Sequence, residues 1–155
     1  MRLENKVAIV TGAGSGFGRG IAATFAREGA RVLVADINDA AGQETVNQIR
    51  AAQGQAQFAH VDVASAASMQ ALLASALAHY PGVDIVVNNA GATHRNRPML
   101  EVGEAEFDRI YAINVKSIFH SAQTFVPHFR QRGGGVFVNI ASTAAIRPRP
   151  GLTWY

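Results

Sequence analysis

The chain has 155 residues, of which 48% are hydrophobic and 16% are charged, with a formal net charge of +3 and no cysteine. This length indicates one domain, and the composition is that of a folded rather than a disordered protein. The lack of cysteine excludes disulfides and thiolate metal sites, and no apolar run reaches the roughly 18 residues that cross a membrane. Because the sequence opens without a signal peptide, we expect a cytoplasmic protein with no membrane partner.

Short β-rich runs alternate with longer helical patterns along the chain. Five strands are predicted, at residues 7–10, 31–36, 56–61, 83–87 and 136–140. Four helices are predicted between them, at about 19–28, 38–53, 65–80 and 103–130. This alternation predicts right-handed βαβ units and therefore an α/β fold, with a doubly wound parallel sheet and helices on both faces.

The first strand leads directly into a glycine-rich turn that opens the first helix. Glycine lets the backbone approach an anion closely, and a helix N-terminus presents unpaired N–H groups. The spacing Gly12-x-x-x-Gly16-x-Gly18 differs from the common G-x-G-x-x-G pattern. We interpret the turn as a phosphate cradle for a nucleotide, and its candidate binding residues are Gly12, Ser15, Gly16, Phe17 and Gly18.

Small or polar residues follow the carboxyl end of every predicted strand. They are the Gly12 turn, Asp36, Asp62, the run Asn88–Gly91, and Ser142. In a doubly wound sheet these ends share one edge, where ligands bind. A polar residue can also end a strand simply because a turn follows, but the agreement of five strand ends favours one common site.

Asp36 lies 18 residues after Gly18, at the end of the second predicted strand. A carboxylate there can accept hydrogen bonds from both ribose hydroxyls of an adenosine. It would repel a 2′-phosphate, and Ile37 offers no positive charge to neutralise one, so we predict NAD in preference to NADP. The alternative is that Asp36 only forms a turn with Asn38 and Asp39.

Together these motifs resemble the short-chain dehydrogenase/reductase (SDR) family. The residues that carry the resemblance are Thr11-Gly12-x-x-x-Gly16-x-Gly18, Asp62-Val63, Asn88-Asn89-Ala90-Gly91, Asn114, Ser142 and Tyr155. The resemblance implies a Rossmann-type sheet of strand order 3-2-1-4-5. It also implies an NAD-dependent oxidoreductase that interconverts a secondary alcohol and a ketone on a sugar, 3-oxoacyl or small alcohol substrate, and that works as a homodimer or homotetramer. The scattered basic residues do not favour a nucleic-acid partner.

The same resemblance implies roles for individual residues. Asp62 would contact the adenine and Val63 would also bind the cofactor, while Asn88, Ala90 and Gly91 would support the cofactor site. The implied catalytic residues are Asn114, Ser142 and Tyr155. The tyrosine would give a proton to the carbonyl oxygen, or take one from an alcohol, while the serine hydrogen-bonds the same oxygen.

Asn114 falls on the predicted apolar stripe of the long helix, which comprises Phe107, Ile110, Tyr111, Val115 and Ile118. A buried amide there needs hydrogen-bond partners. It can be a satisfied core asparagine, or it can mark a helix distortion that holds a water in a proton relay. The resemblance favours the second interpretation.

The chain departs from the family after Tyr155, because the family's Tyr-x-x-x-Lys places a lysine four residues further on. We therefore expect residues 1–155 to be one NAD-binding domain, truncated before the later helices and strands, with the apolar faces of the fifth strand uncovered. By itself this chain is expected not to turn over. The alternative is a non-catalytic nucleotide-binding module or an inactive fragment without the lysine.

Few features of the sequence indicate the substrate. Loop 92–99, together with Arg147 and Arg149, could bring positive charge to an acidic substrate, or it could be an ordinary solvated loop. Trp154 could pack in the core or line the pocket. The histidine spacings match no metal motif, so no metal is assigned.

Overall fold

The computed structural model describes residues 1–147 and 149–155, and in them one parallel sheet organises the fold. Its strands are β1 (Val7–Thr11), β2 (Arg31–Asp36), β3 (Gln55–His60), β4 (Ile85–Asn88) and β5 (Val136–Asn139). The order across the sheet is β3-β2-β1-β4-β5, and all four pairings are parallel. The predicted fold and strand order are confirmed.

The helices that connect the strands cover both faces of the sheet. They are α1 (Gly16–Arg27), α2 (Asp39–Ala51), α3 (Ala66–His79), α4 (Glu104–Tyr111) and α5 (Ser117–Arg132). A π-helical turn, Ala112–Lys116, joins α4 to α5, and short 3-10 turns lie at Met99–Glu101 and Thr143–Ala145. The predicted first helix begins too late, at residue 19. In the structure α1 already begins at Gly16, directly after Ser15, whose backbone is extended.

Side-chain caps fix where two of these helices begin. The Asn38 carboxamide oxygen accepts a hydrogen bond from the Ala41 N–H at 3.0 Å. The Ser65 hydroxyl accepts one from the Ser68 N–H at 3.3 Å. Each cap satisfies an N–H group that the helix itself leaves without a partner.

The central strand β1 is fully buried, since helices cover both faces of the sheet. Successive side chains point to opposite faces. Ile9 belongs to the core that also contains Leu72 of α3 and Phe125 of α5. Val10 belongs to the second core, with Ala22 of α1 and Val46 of α2.

The predicted single helix over 103–130 was wrong in two respects. The π turn interrupts it, and the predicted apolar stripe is not buried along its length. Ile110 is buried, but Phe107, Tyr111 and Val115 are more than a third exposed. The buried side of α5 instead carries Ser117, Ser121, Phe125 and Phe129, because this side faces the sheet and α3.

Strand β5 forms one edge of the sheet and is covered on one face. Phe137 packs against Phe129 of α5, with ring centroids 5.1 Å apart. On the other face, Val136, Val138 and the following Ile140 are exposed. The expectation of two uncovered faces was therefore wrong for the α5 side, where aromatic packing covers the strand.

Candidate active site

The glycine turn after β1 is packed tightly on one side and open on the other. A Cβ atom on Gly12 would lie 2.8 Å from the Cα of Ala90, and one on Gly18 would collide with the carbonyl oxygen of Gly12. At Gly16, whose φ is +51°, a Cβ would meet no heavy atom within 4 Å. The turn therefore leaves open space at the beginning of α1.

That open space adjoins unpaired backbone donors. The first N–H groups of a helix have no partner within it, and the Ser15 side chain makes no capping hydrogen bond here. Phe17, in the first turn of α1, is 84% exposed. A helix start with free N–H groups and room beside it has the properties of an anion site.

Asp36 connects the end of β2 to this turn. One carboxylate oxygen accepts the Gly14 N–H at 2.7 Å, and the other accepts the Asn38 N–H at 2.8 Å. The carboxylate thus forms the local turn that the sequence left open as an alternative, and it also contacts the glycine turn. Its orientation is fixed, and Ile37 beside it is 64% exposed.

Arg19 and Thr45 support the glycine turn from α1 and α2, and the sequence analysis missed both. The Arg19 guanidinium donates to the Gly14 carbonyl and, through Nε, to the Thr45 hydroxyl at 3.1 Å. That hydroxyl donates to the Ala13 carbonyl at 3.0 Å. A threonine inside a helical pattern gives no sequence signal for this role, because the contact is tertiary.

Thr11 and Asn89 join the ends of β1 and β4. The Thr11 hydroxyl accepts the N–H groups of Asn89 and Ala90, each at 3.1 Å. The Asn89 side chain donates to the Thr11 carbonyl at 2.8 Å. Asn89 was quoted in the family motif but omitted from the predicted site residues, and the structure gives it the larger part in holding the turn. Asn88 instead contacts β5, by donating to the Asn139 side chain at 2.8 Å.

Asp62 and Val63 follow β3 at the same carboxyl edge of the sheet. The Asp62 carboxylate accepts the Ala64 N–H at 3.0 Å, and the Asp62 N–H donates to the Ser68 hydroxyl at 2.9 Å. Val63 is buried. These contacts fix the loop between β3 and α3, and the predicted contact with adenine stays a prediction.

Asn114 lies within the π turn and holds the segment after β4. Its oxygen accepts the Ala92 N–H and its amide donates to the Ala92 carbonyl, both at 2.8 Å. A Cβ on Gly91 would lie 3.5 Å from the Asn114 oxygen. The Asn114 side chain therefore has hydrogen-bond partners, as expected of a satisfied core asparagine, and it also lies at a helix distortion, as the second interpretation expected. The proton relay stays a prediction.

Ser142 and Tyr155 are each held within their own segment. The Ser142 hydroxyl caps the 3-10 turn after it, by accepting the Ala144 N–H at 3.1 Å. The Tyr155 N–H donates to the Leu152 carbonyl at 3.3 Å, and its side chain is partly exposed. Their catalytic roles stay predictions.

An open cleft of about 660 Å³ lies next to Ser142, lined by Thr143, Ile146, Arg147, Arg149 and Pro150. Both arginines are exposed. In loop 92–99, by contrast, Arg97 lies 3.3 Å from the Glu106 carboxylate. Arg147 and Arg149 therefore bring positive charge to the cleft, whereas the charge of Arg97 is paired with Glu106.

Residues 1–147 and 149–155 contain neither a membrane-spanning helix nor a cluster of metal-ligating side chains. No helix there combines the length and apolar character needed to cross a membrane. No group of three or more His, Cys, Asp or Glu side chains in this part of the chain is arranged to hold a metal ion.

Three known proteins illustrate what the chain is similar to. The 4-formylbenzenesulfonate dehydrogenase TsaC1/TsaC2 of Comamonas testosteroni is 52% identical over the whole chain, which spans 62% of that protein. The 3-ketoacyl-(acyl-carrier-protein) reductase of Brucella melitensis, solved in complex with NADH, is 41% identical with a TM-score of 0.93; the match covers 99% of this chain and 64% of that one. A 7 alpha-hydroxysteroid dehydrogenase was solved with NADH and 7-oxo glycochenodeoxycholic acid, and it is 42% identical with a TM-score of 0.93. That match covers 99% of this chain and 60% of the dehydrogenase chain.

The chain thus spans less than two thirds of the length of each of these proteins. A family model described as short chain dehydrogenase matches residues 6–155, which is nearly the whole chain. The glycine turn, the strand order and the Asn88–Gly91 segment agree with that match. The chain therefore belongs to the short chain dehydrogenase family.

Proposed function

We propose that this chain carries the NAD-binding part of an oxidoreductase that interconverts a secondary alcohol and a ketone. The observation that carries the proposal is the Asp36 carboxylate, which two backbone N–H groups hold beside the glycine turn. Each of its oxygens keeps a lone pair for a further donor, such as a ribose hydroxyl. Two solved relatives contain NADH, which supports the same cofactor here.

The residues at the carboxyl edge fit a dinucleotide. The N–H groups at the start of α1 and the open space at Gly16 would take the pyrophosphate. Asp36 would take the adenosine ribose, with exposed Ile37 beside the base and Asp62 on its other side. When bound, NAD supplies the acceptor or donor of the hydride.

The protein's own chemistry is the handling of the proton. Tyr155 would hold or give the proton at the substrate oxygen, and Ser142 would hydrogen-bond that oxygen. Ionising a free tyrosine, with its pKa near 10, costs about 4 kcal/mol at pH 7, so positive charge close to the ring is needed. Asn114 would act from the π turn, where it fixes the backbone of Ala92.

The substrate is proposed to be a small alcohol or ketone that carries an anionic group. Arg147 and Arg149 line the cleft beside Ser142, and guanidinium groups suit sulfonate, phosphate or carboxylate. The name of the Comamonas relative contains such a group, a sulfonate. Weaker binding of benzenesulfonate to Arg147→Gln, measured by ligand-observed NMR, is the expected result, and unchanged binding would count against this substrate class.

Titration of the purified chain with NAD tests the proposed cofactor site. Asp36→Asn keeps a hydrogen-bond acceptor but loses the charge, and we expect NAD affinity to fall about tenfold or more, since charged hydrogen bonds contribute about 1.5–3 kcal/mol. Asp39→Asn is the matched control, because Asp39 is exposed and pairs with His60 instead of the turn. If folded wild-type chain does not bind NAD, or if both variants bind it like wild type, the proposal is wrong.

A further inference from the structure

The segment that ends in Tyr155 is attached to loop 92–99 by its backbone. The Asn96 side chain donates to the Pro150 carbonyl at 2.9 Å, and the Arg97 N–H donates to the Gly151 carbonyl at 3.1 Å. Gly151 has a φ of +75°, and a Cβ there would collide with the Asn96 side chain. A glycine is therefore required where the two segments meet.

Trp154 makes the same connection through its side chain. Its indole N–H donates to the Met99 carbonyl at 3.1 Å, and its ring packs edge-on against Phe107 of α4, with centroids 5.6 Å apart. Its backbone N–H donates to Nε2 of His94 at 3.4 Å. The sequence left open whether Trp154 packs in the core or lines the pocket. In the structure it does neither, because it packs against this loop and α4.

His94 is the buried end of this contact, at 2% exposure. Its Nδ1 lies 2.8 Å from the Arg95 carbonyl, which can only accept, so the proton of the neutral ring is assigned to Nδ1. Nε2 is then an acceptor and matches the Trp154 N–H. No pattern in the sequence predicted a role for His94.

The loop is in turn fixed to α4 and the π turn. Asn114 holds Ala92 by two hydrogen bonds of 2.8 Å. Arg109 donates to the Thr93 carbonyl at 3.2 Å, and Arg97 pairs with Glu106. A continuous set of contacts thus leads from the π turn, through the loop, to the residue before Tyr155.

We propose that His94, Asn96, Met99, Phe107 and Trp154 form a brace that positions Tyr155. The brace rests on the proposed function, in which Tyr155 handles the proton. His94 and Trp154 are positioning residues, since they act on the reaction only through the place that they give the neighbouring tyrosine. The hydrogen bonds around Tyr155 fit this role, because its own backbone contact, to Leu152, lies within the braced segment.

Trp154 is the only tryptophan in the chain, so its fluorescence reports directly on the brace. His94→Leu removes the acceptor, whereas His94→Gln can place an oxygen where Nε2 lies. We expect the leucine variant to show red-shifted emission and at least a doubled acrylamide quenching constant, and the glutamine variant to resemble wild type. His60→Leu, the same change at an exposed histidine of β3, is the matched control.

Incorporated 3-fluorotyrosine distinguishes positioning from simple packing. The chain has three tyrosines, and Tyr155→Phe identifies the resonance of Tyr155. In His94→Leu we expect the fluorine resonance of Tyr155 to move while that of Tyr80 stays, with recovery in His94→Gln. Emission that shifts while the Tyr155 resonance stays in place would overturn the proposal, as would no change in either signal.

A second variant covers the case in which His94→Leu does not fold, and a measurement of NAD binding separates the brace from the cofactor site. If His94→Leu fails to fold by circular dichroism, Asn96→Ala replaces it, because Asn96 is exposed and the change removes its hydrogen bond to Pro150 and its packing against Gly151; the same two shifts are expected. NAD binding is measured in each variant and is expected to stay within about twofold of wild type, since Asp36 lies outside the brace. Absence of NAD binding by wild type would refute the proposed function, whereas the emission and fluorine shifts test separately whether these contacts place Tyr155.

Discussion

Gly18 and Gly20 lie in the same helix, α1, and differ in their surroundings. A Cβ on Gly18 would collide with the Gly12 carbonyl and crowd the Asn89 side chain, whereas a Cβ on Gly20 would meet nothing within 4 Å. We expect Gly18→Ala to lower the free energy of unfolding by about 1–3 kcal/mol through overpacking. Gly20→Ala should raise it by about 0.5–1 kcal/mol, because alanine is the better helix former.

Urea unfolding of the two alanine variants measures this difference. Since the substitution and the helix are the same, each variant serves as the control for the other. Equal stabilities for the two would mean that α1 does not pack against the glycine turn as closely as described.

At the residue scale, the sequence predicted the residues whose contacts are local. The predicted helices over 38–53 and 65–80 start at Asn38 and Ser65, which cap α2 and α3 through hydrogen bonds to N–H groups three residues on. Arg19 and Thr45 escaped prediction, because their partners lie in distant parts of the chain. His94 escaped for the same reason: its acceptor role appears only when Trp154 is brought next to it.

At the scale of elements, α5 supports the amino end of β4 through a titratable contact. Nε2 of His128 accepts the hydrogen bond of the Val83 N–H at 3.1 Å. Burial, with the positive charge of Arg132 nearby, lowers the pKa of His128 below its usual value. The unfolded chain therefore takes up this proton first on acidification, so the contribution is complete above about pH 6.5 and is lost as the pH falls towards the lowered pKa.

His128→Gln separates this contribution from the other histidines, because glutamine can accept the same hydrogen bond and does not titrate. As the pH is lowered from about 7.5 to about 5.5, we expect the free energy of unfolding of wild type to decrease relative to that of the variant. Urea unfolding at several pH values measures it. A difference that is constant, or that grows on acidification, would contradict the assigned direction of the pKa shift.

The elements themselves were largely predictable, with one exception. Strands and helices alternate clearly in the sequence, and each strand was found within a few residues of its predicted bounds. The helical pattern of residues 103–130 gives no sign of the π turn, and only the family resemblance favoured a helix distortion at Asn114. The Asn114 side chain makes its hydrogen bonds there to the backbone of Ala92, 22 residues away in the chain, and such a contact has no local signal.

At the scale of the whole molecule, the carboxyl edge of the sheet differs from the edge strand β5. At the carboxyl edge, hydrogen bonds join the glycine turn to Asp36 and the end of β1 to the end of β4. The open edge is β5, with Val136, Val138 and Ile140 exposed.

The sequence could predict where the proposed cofactor residues lie, but not what surrounds Tyr155. The proposed cofactor residues come from strand ends that the fold brings to one edge, so spacing and topology predict where they lie. The contacts of Trp154, the neighbour of Tyr155, are with His94 and Met99, and no local pattern in the sequence encodes them.

The central claim, that Asp36 makes this chain an NAD site, is tested most directly by titrating wild type and one double variant with NAD and NADP. The double variant combines Asp36→Ala, which removes the repelling carboxylate, with Ile37→Arg, which supplies a positive charge for a 2′-phosphate. We predict that wild type binds NAD about tenfold or more tightly than NADP, and that the double variant reverses this order. Equal affinities in wild type, or an unchanged preference in the double variant, would contradict the account.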